Sequence, residues 1–358
     1  MLLSARIDAI PPRRQTTAGS ILAALARAAA ATAGEIAAIP GDPTAAARRI
    51  FTESLRGAEV AAIAWPDEDR PDLRVRGAAF VVALCPMEGA DDLDGGLPAG
   101  TLFSLRPAGA DPEAAFLAPG RMQAAAGFVV YGPRTLLTLT DGTTTTTRIF
   151  DPQSGTFRPP SVLRLSRAPS CEAPRGADGP RAGTVPACRS LAAGAQRVLT
   201  RGGLHVVPAD PHPEAGIRLV HEAAPVALAI EAAGGAATDK RGRAILDIAA
   251  GDLGRRTSLA VGSTREVTEL VRRLDRERDA GGSPLFAPAG CCGADPTCRP
   301  STPSCRSPGR RAPAPPRCAT PSTRSSAAKA WRRCSSRATP STPSTGRRCA
   351  RRWPASRP

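Results

Sequence analysis

The sequence predicts an α/β protein of layered helices and sheets, and two observations carry that expectation. Short apolar runs of strand length alternate along the chain with longer segments of helical period, the pattern of helices packed on sheet faces. The charge is also segregated. The 358-residue chain has a formal net charge of +16, but residues 291–358 hold 15 Lys and Arg against the single acid Asp295. The first 290 residues are left near neutral, with 33 basic and 31 acidic side chains. With 42% hydrophobic residues overall, a body of that size buries about three quarters of its unfolded surface, which excludes disorder and makes structural metal or disulfides unnecessary.

In chain order, Ser20 is positioned to cap a helix running through Ile21, Leu22, Leu25, Ile36 and Ile39, stopped by Pro40, Gly41, Asp42 and Pro43. A second amphipathic helix is predicted over Thr44 to Leu55. Val60 to Trp65 and Ala78 to Leu84 are apolar, Val- and Ile-bearing runs that read as buried strands. The acidic cluster Pro66-Asp67-Glu68-Asp69 lies between them. After the second strand, Cys85 to Asp94 is too polar to continue the core, so carboxylates are expected at the ends of neighbouring buried strands. Gly127 to Thr140 reads as a strand pair, and the Thr143 to Thr147 run favours extended structure. Arg218 to Val220 is a strand, Ala223 to Ala233 a helix ended by Gly234 and Gly235, and Arg265 to Arg276 a charged amphipathic helix.

Residues 166–195 and 289–358 break this pattern. Both are built from Arg, Pro, Ala, Ser, Gly, Thr and Cys with almost no apolar period, which reads as a disordered linker and a disordered basic tail. Disordered segments are poor in cysteine, yet the tail holds Cys291, Cys292, Cys298, Cys305, Cys318, Cys334 and Cys349. The same composition arises when GC-rich coding DNA is read out of frame, and that origin is the preferred explanation of both segments. Only Cys85, Cys171 and Cys188 precede the tail, so no secreted disulfide framework is implied. Residues 1–14 lack an apolar signal region, and Arg27 and Glu35 interrupt the longest Ala/Leu run. The expectation is a cytoplasmic protein with no membrane span.

Several segments resemble class 1 fructose-1,6-bisphosphatases. The stretch from Ala118 to Pro133, APGRMQAAAGFVVYGP, is similar to the family's PGRxQxAAGYxxYG. Arg201-Gly202-Gly203 with Pro208-Ala209-Asp210, the run Arg218 to Pro225, Glu231 to Thr238, and Ile245-Leu246-Asp247 resemble its RGGxFxYPAD, RLxYExxP, EQAGGxAT and ILD. Gly262-Ser263 and Ser283 to Phe286 resemble its closing GS and SPLFG. The resemblance covers about residues 18–165 and 196–288. It implies a layered α/β/α/β/α sugar-phosphatase fold with an N-terminal metal- and phosphate-binding domain over 1–165 and a sugar-binding domain over 196–288. It also implies Mg²⁺ as cofactor, fructose 1,6-bisphosphate as substrate, a homotetramer, and a place in gluconeogenesis or the Calvin cycle.

The chemical centre departs from the family. Its DPLDGSSNID signature stands here as Cys85, Pro86, Met87, Glu88, Gly89, Ala90, Asp91, Asp92, Leu93 and Asp94, with both metal-binding Asp positions changed. Its SEED motif stands as Pro66-Asp67-Glu68-Asp69. By the resemblance, Asp67, Cys85, the carbonyl of Met87, Glu88 and Glu222 form the metal shell. Glu68, with Asp67, orients or deprotonates the attacking water, and the backbone N–H groups around Glu88, Gly89, Ala90 and Asp91 hold the phosphate to be cleaved. Clustered carboxylates suit a hard divalent cation that takes oxygen ligands, and backbone amides form an anion nest whatever the side chains.

Each of these residues also has a plainer reading. Asp67-Glu68-Asp69 has the composition of a solvated loop, Cys85 that of a small buried hydrophobe, Met87 that of core, and Glu222 that of a surface acid. A thiolate at Cys85 is poorly matched to Mg²⁺. The far phosphate of the substrate loses family cations and tyrosines, since Val207 and Gly216 stand at a tyrosine and a lysine position. His205, His212 and His221 lack partners at zinc spacing. Two rival functions follow: a catalytically impaired homologue acting as a binding or regulatory subunit, and a nucleic-acid binder using the basic tail. The second is not expected, because the tail offers Trp331 and Trp353 but no recognisable module.

Overall fold

The computed structural model describes residues 12–38, 41–165, 190–207 and 216–281. The linker up to residue 189, Pro208-Ala209-Asp210, Ser283 to Phe286 and the basic tail lie outside the described residues.

Two helices open the fold: α1 (Pro12–Ala38) and α2 (Pro43–Leu55). Asp42 caps α2, accepting from the N–H groups of Thr44 and Ala45 at 2.8 and 3.1 Å, with Pro43 at the first helical position. Ser20 is no cap; α1 begins at Pro12, and the Ser20 hydroxyl donates back to the Thr16 carbonyl within the helix. The stretch Thr16–Ala37 is long and apolar enough to cross a membrane by length and composition. Core helices of soluble proteins pass the same test, so the match does not overturn the expectation of no membrane span. Its Ala18, Ile21, Leu25, Ala28 and Ala29 are buried in a core cluster with α2 and the main sheet.

The main sheet holds β1 (Val60–Ala64), β2 (Asp72–Leu73), β3 (Phe80–Glu88), β4 (Ala99–Pro107), β5 (Ala125–Tyr131), β6 (Leu136–Thr140), β7 (Thr145–Asp151), β8 (Thr156–Phe157) and β9 (Ser161–Leu163). Its order is β2-β1-β3-β4-β5-β6-β7-β8, with β9 also paired to β7. Within it β1 and β3 run parallel and every other pairing is antiparallel. The period of two is plain in β3. Phe80, Val82 and Leu84 face α1 and α2, while Val81, Ala83 and Cys85 face the opposite cluster. A register irregularity between Cys85 and Glu88 then turns Met87 to the α1/α2 side.

The opposite face is covered by α3 (Pro112–Leu117), α4 (Leu191–Arg201) and α5 (Ala224–Ala232). Beyond α4 and α5 lies a second sheet of β10 (Leu204–Val207), β14 (Leu259–Ser263) and β12 (Gly235–Thr238), and α6 (Thr264–Gly281) packs on that sheet. The layers therefore run α/β/α/β/α. Being clamped between two sheets explains why Ala224 to Ile230 of α5 are all buried and the helix shows no polar face. A short pair, β11 (Ile217–Arg218) with β13 (Arg256–Thr257), leads into a π-turn at Leu219–Ala223. One core cluster joins Ala61, Val81 and Phe128 to Val198, Val226 and Val261, and the described residues all fall in one compact unit, Met1–Ala289.

Three sequence expectations are corrected here. Polarity does not end β3 at Leu84; the strand continues through Glu88 because Cys85 and Met87 are buried, one on each face. Arg218 to Val220 is extended only as far as Arg218, after which the π-turn takes over. The unpatterned segment does not reach Ala195. Ser190 caps α4 through the Ala193 N–H at 3.2 Å, and Leu191, Ala192, Ala195, Val198 and Leu199 form its buried stripe.

Candidate active site

Parallel pairing of β1 and β3 brings their carboxyl ends side by side. After β1 the indole of Trp65 is buried, 2% exposed, and the chain turns through Asp67 and Glu68, with the Glu68 N–H on the Trp65 carbonyl. Arg48 of α2 reaches over this turn. Its Nη1 donates to both Asp67 oxygens at 2.5 and 2.6 Å, its Nη2 donates to Glu68 Oε1, and the guanidinium carbon lies 4.6 Å from the Trp65 ring centroid.

At the end of β3, the buried Thr101 hydroxyl donates to the Pro86 carbonyl at 2.6 Å and is 2.9 Å from the Tyr131 hydroxyl, fixing the bulged backbone. Cys85 Sγ lies 3.7 Å from the Met87 carbonyl oxygen and 3.9 Å from Glu222 Oε1. Glu222 arrives from the π-turn, a wide turn of the kind found at functional sites. Its other oxygen accepts the Arg218 N–H at 2.5 Å. Burial pushes the Cys85 thiol well above its ordinary range, and the Glu222 and Glu88 carboxylates push it further. Burial also raises Glu222, opposed by the Arg218 N–H and the Arg218 and Arg256 charges.

Glu88 points to the start of α4. Its Oε1 accepts from the Ser190 hydroxyl at 2.5 Å and the Ala192 N–H at 3.0 Å, and its Oε2 accepts from the Leu191 N–H at 3.0 Å. A carboxylate there meets the positive end of the helix dipole. Desolvation nevertheless outweighs those hydrogen bonds and raises Glu88 from 4.5 to about 7. The close approach depends on Gly100 of β4. A Cβ at that position would lie 2.5 Å from the Ala192 Cβ and 2.7 Å from Glu88 Oε1.

Gly89 follows with φ +68° and ψ 27°, a left-handed conformation that opens a 3₁₀ turn at Ala90–Asp92. A left-handed residue followed by right-handed ones aims successive N–H groups to one side, the form of an anion nest. The sequence-predicted phosphate cradle of Gly89, Ala90 and Asp91 has this backbone form.

The structure thus gathers Cys85, the Met87 carbonyl and Glu222, seats Glu88 on the amino end of α4, and holds Asp67 and Glu68 under Arg48. By chemistry the oxygen donors of Asp67, Glu68, Glu222 and Met87 fit a hard divalent cation, and Cys85 is the poorly matched member. Among the described residues, no three His, Cys, Asp or Glu side chains converge into a metal-holding group.

Sequence reasoning missed Arg48, Ser190, Arg218 and His221. Ser190 followed by an apolar helical period was a readable cap signal; Arg48 carried none, because its partners lie 19 and 20 residues away. His221, 0% exposed and beside Glu222, lies close to the Ala64 backbone. Burial and then Arg218 lower it from 6.5 to about 3, so it stays neutral.

Comparison with known proteins identifies the family of the fold. Residues 45–160 match the family model for the fructose-1-6-bisphosphatase N-terminal domain, and residues 185–275 match that for the C-terminal domain. The class 1 fructose-1,6-bisphosphatase of Methylobacterium sp. (strain 4-46) is 42% identical over 326 residues, covering 81% of this chain and 99% of that protein. That of Methylobacterium radiotolerans is 35% identical over 336 residues, covering 80% and 95%. The crystal structure of Leishmania major fructose-1,6-bisphosphatase in apo form superposes with a TM-score of 0.65 at 21% identity, covering 75% of this chain and 97% of that one. Two matched domains, a relative spanned almost end to end and a shared layered fold establish that the chain belongs to the class 1 fructose-1,6-bisphosphatase family.

Proposed function

We propose that this enzyme hydrolyses the 1-phosphate of fructose 1,6-bisphosphate in a Mg²⁺-dependent reaction, yielding fructose 6-phosphate and phosphate. The observation that carries the reading is the juxtaposition, in a member of this family, of acidic strand ends and Glu222 with the nest at Gly89. In this reading Asp67, Glu222 and the Met87 carbonyl hold the ion, and Glu68 stands beside it. Bound Mg²⁺ supplies charge neutralisation at phosphate and acidification of water. The chain's own contributions are separate. The Gly89, Ala90 and Asp91 N–H groups receive the phosphate oxygens, Glu68 accepts the proton of the attacking water, and Glu88 fixes α4 against the cradle. The wider proposal places the enzyme in the cytoplasm as a homotetramer serving gluconeogenesis or carbon fixation.

Phosphate release from fructose 1,6-bisphosphate over a Mg²⁺ titration tests the reading: rate should rise with Mg²⁺ from a negligible base. No release at any Mg²⁺ concentration sinks it. Cys85 at a family metal-ligand position, with Gly216 and Val207 where the family has a lysine and a tyrosine for the far phosphate, favours a second reading, an impaired homologue that binds the sugar bisphosphate without turnover. Its signature is saturable substrate binding by calorimetry with no phosphate produced.

A further inference from the structure

We infer that Arg48 is a tethered cation that competes with a divalent metal ion for Asp67 and Glu68, setting the metal concentration at which the site fills. The inference deepens the phosphatase reading and rests on it for the identity of the ion.

Arg48 originates on a fixed support. The buried face of α2, Ala47, Phe51 and Leu55, packs into the core, and the Asp42 cap fixes its start. From there one guanidinium serves two carboxylates, occupying both oxygens of Asp67 and Oε1 of Glu68. A hard divalent ion requires the Asp67 lone pairs and lies beside Glu68, and its charge repels a guanidinium lodged between the two carboxylates. Metal and Arg48 therefore exclude each other by occupancy and by sign.

The surroundings make the exchange reversible. The Arg48 side chain is 31% exposed and that of Asp67 66%, so water reaches the pair and screens it. The pair then sets a threshold; it does not seal the site. Trp65 gives the displaced guanidinium a place to stay, since contact with the ring face does not depend on the carboxylates. Arg48 differs in this from the donors on Glu88 and Glu222, which are backbone N–H groups and a capping hydroxyl fixed in their elements.

The test is a Mn²⁺ titration of the full chain, free ion being read from its electron paramagnetic resonance signal, in wild type, Arg48→Met and Arg48→Lys. Methionine keeps the stem over Trp65 and removes the charge. The expected dissociation constant for Arg48→Met is about five-fold lower than wild type. Lysine keeps the charge without the two-pronged geometry and should fall between them. Adding Asp67→Asn and Glu68→Gln to Arg48→Met should abolish the gain. Tryptophan emission gives an independent readout. Mg²⁺ should shift it in wild type as Arg48 leaves the carboxylates, and leave it unmoved in Arg48→Met and Trp65→Phe.

Equal or weaker Mn²⁺ binding by Arg48→Met overturns the inference, and so does absence of Mn²⁺ binding in all variants. If Arg48→Met does not fold, an Arg48→Lys constant equal to wild type overturns it. Failure of the phosphatase reading is seen separately, as absent phosphate release in a chain whose Mn²⁺ affinity still rises on Arg48→Met.

Discussion

Glu222 is the residue where chemistry and burial pull hardest in opposite directions. It is held among Cys85, the Arg218 N–H and a largely apolar surround, where its charge is disfavoured until an ion is present. Glu222→Gln removes the ligand charge while keeping the shape, so Mg²⁺-dependent phosphate release should drop to background with little change in thermal midpoint. Wild-type turnover in that variant removes Glu222 from the site. Cys85→Asp works in the reverse direction. A carboxylate 3.9 Å or so from Glu222 adds repulsion to the metal-free fold, so the metal-free midpoint should fall. Mg²⁺ should then raise the midpoint more than it does for wild type, because it gains a hard ligand. His221 governs a pH effect. Its folded value of about 3 lies below the ordinary 6.5, so between those values the unfolded chain holds the proton and the folded chain does not. Stability therefore falls as pH drops through that window. His221→Phe should flatten the acid-side decline measured by urea unfolding at pH 7, 6 and 5, and an unchanged slope contradicts the assignment.

Among the elements, α4 and α2 position the site. The amino end of α4 is seated on Glu88 only because β4 presents Gly100 beneath it. Gly100→Ala forces a methyl into contact with Ala192 and the Glu88 carboxylate, and the resulting overpacking should cost about 1–3 kcal/mol. The rate of phosphate release should fall as well, since α4 and the Gly89 cradle shift together. Helix α2 delivers Arg48, and its start depends on Asp42. Asp42→Ala removes a side-chain acceptor from two N–H groups and should destabilise the chain by about 1 kcal/mol. Chemical denaturation with the slope held constant measures both. Helix α5 reads as a helix from its length and its Gly234 stop, while its lack of a polar side is explained only by the second sheet behind it.

For the whole molecule, the five layers are complete within the body. Among the described residues both core clusters end before Val267, so truncation after Ala289 should leave the thermal midpoint within a few degrees of full length. A large drop would show that residues 290–358 contribute to the core. The same truncation removes most of the net positive charge, and therefore tests whether any nucleic-acid affinity, recognisable by its steep salt dependence, resides in that tail.

Sequence alone determined the elements whose cause is local. The helical run of α2 behind Asp42-Pro43, the buried strand through Phe80 to Leu84 and the Gly234 stop after α5 are properties of a few neighbouring residues, and so was the acidic character of two strand ends; the Ser190 cap is equally local but went unread in its Pro- and Arg-rich surroundings. The order of motifs also marked the family. The state of those acids was decided by contacts between distant parts of the chain. Arg48 reaches Asp67 and Glu68 from another helix, α4 takes Glu88 across 102 to 104 residues, and the π-turn brings Glu222 to Cys85 across 137. A carboxylate's partners and its desolvation are set by what packs around it, and no periodicity or spacing encodes that. The resemblance implied a cation site at Asp67, Glu88 and Glu222, and only the folded layers determined which protein groups face each of them.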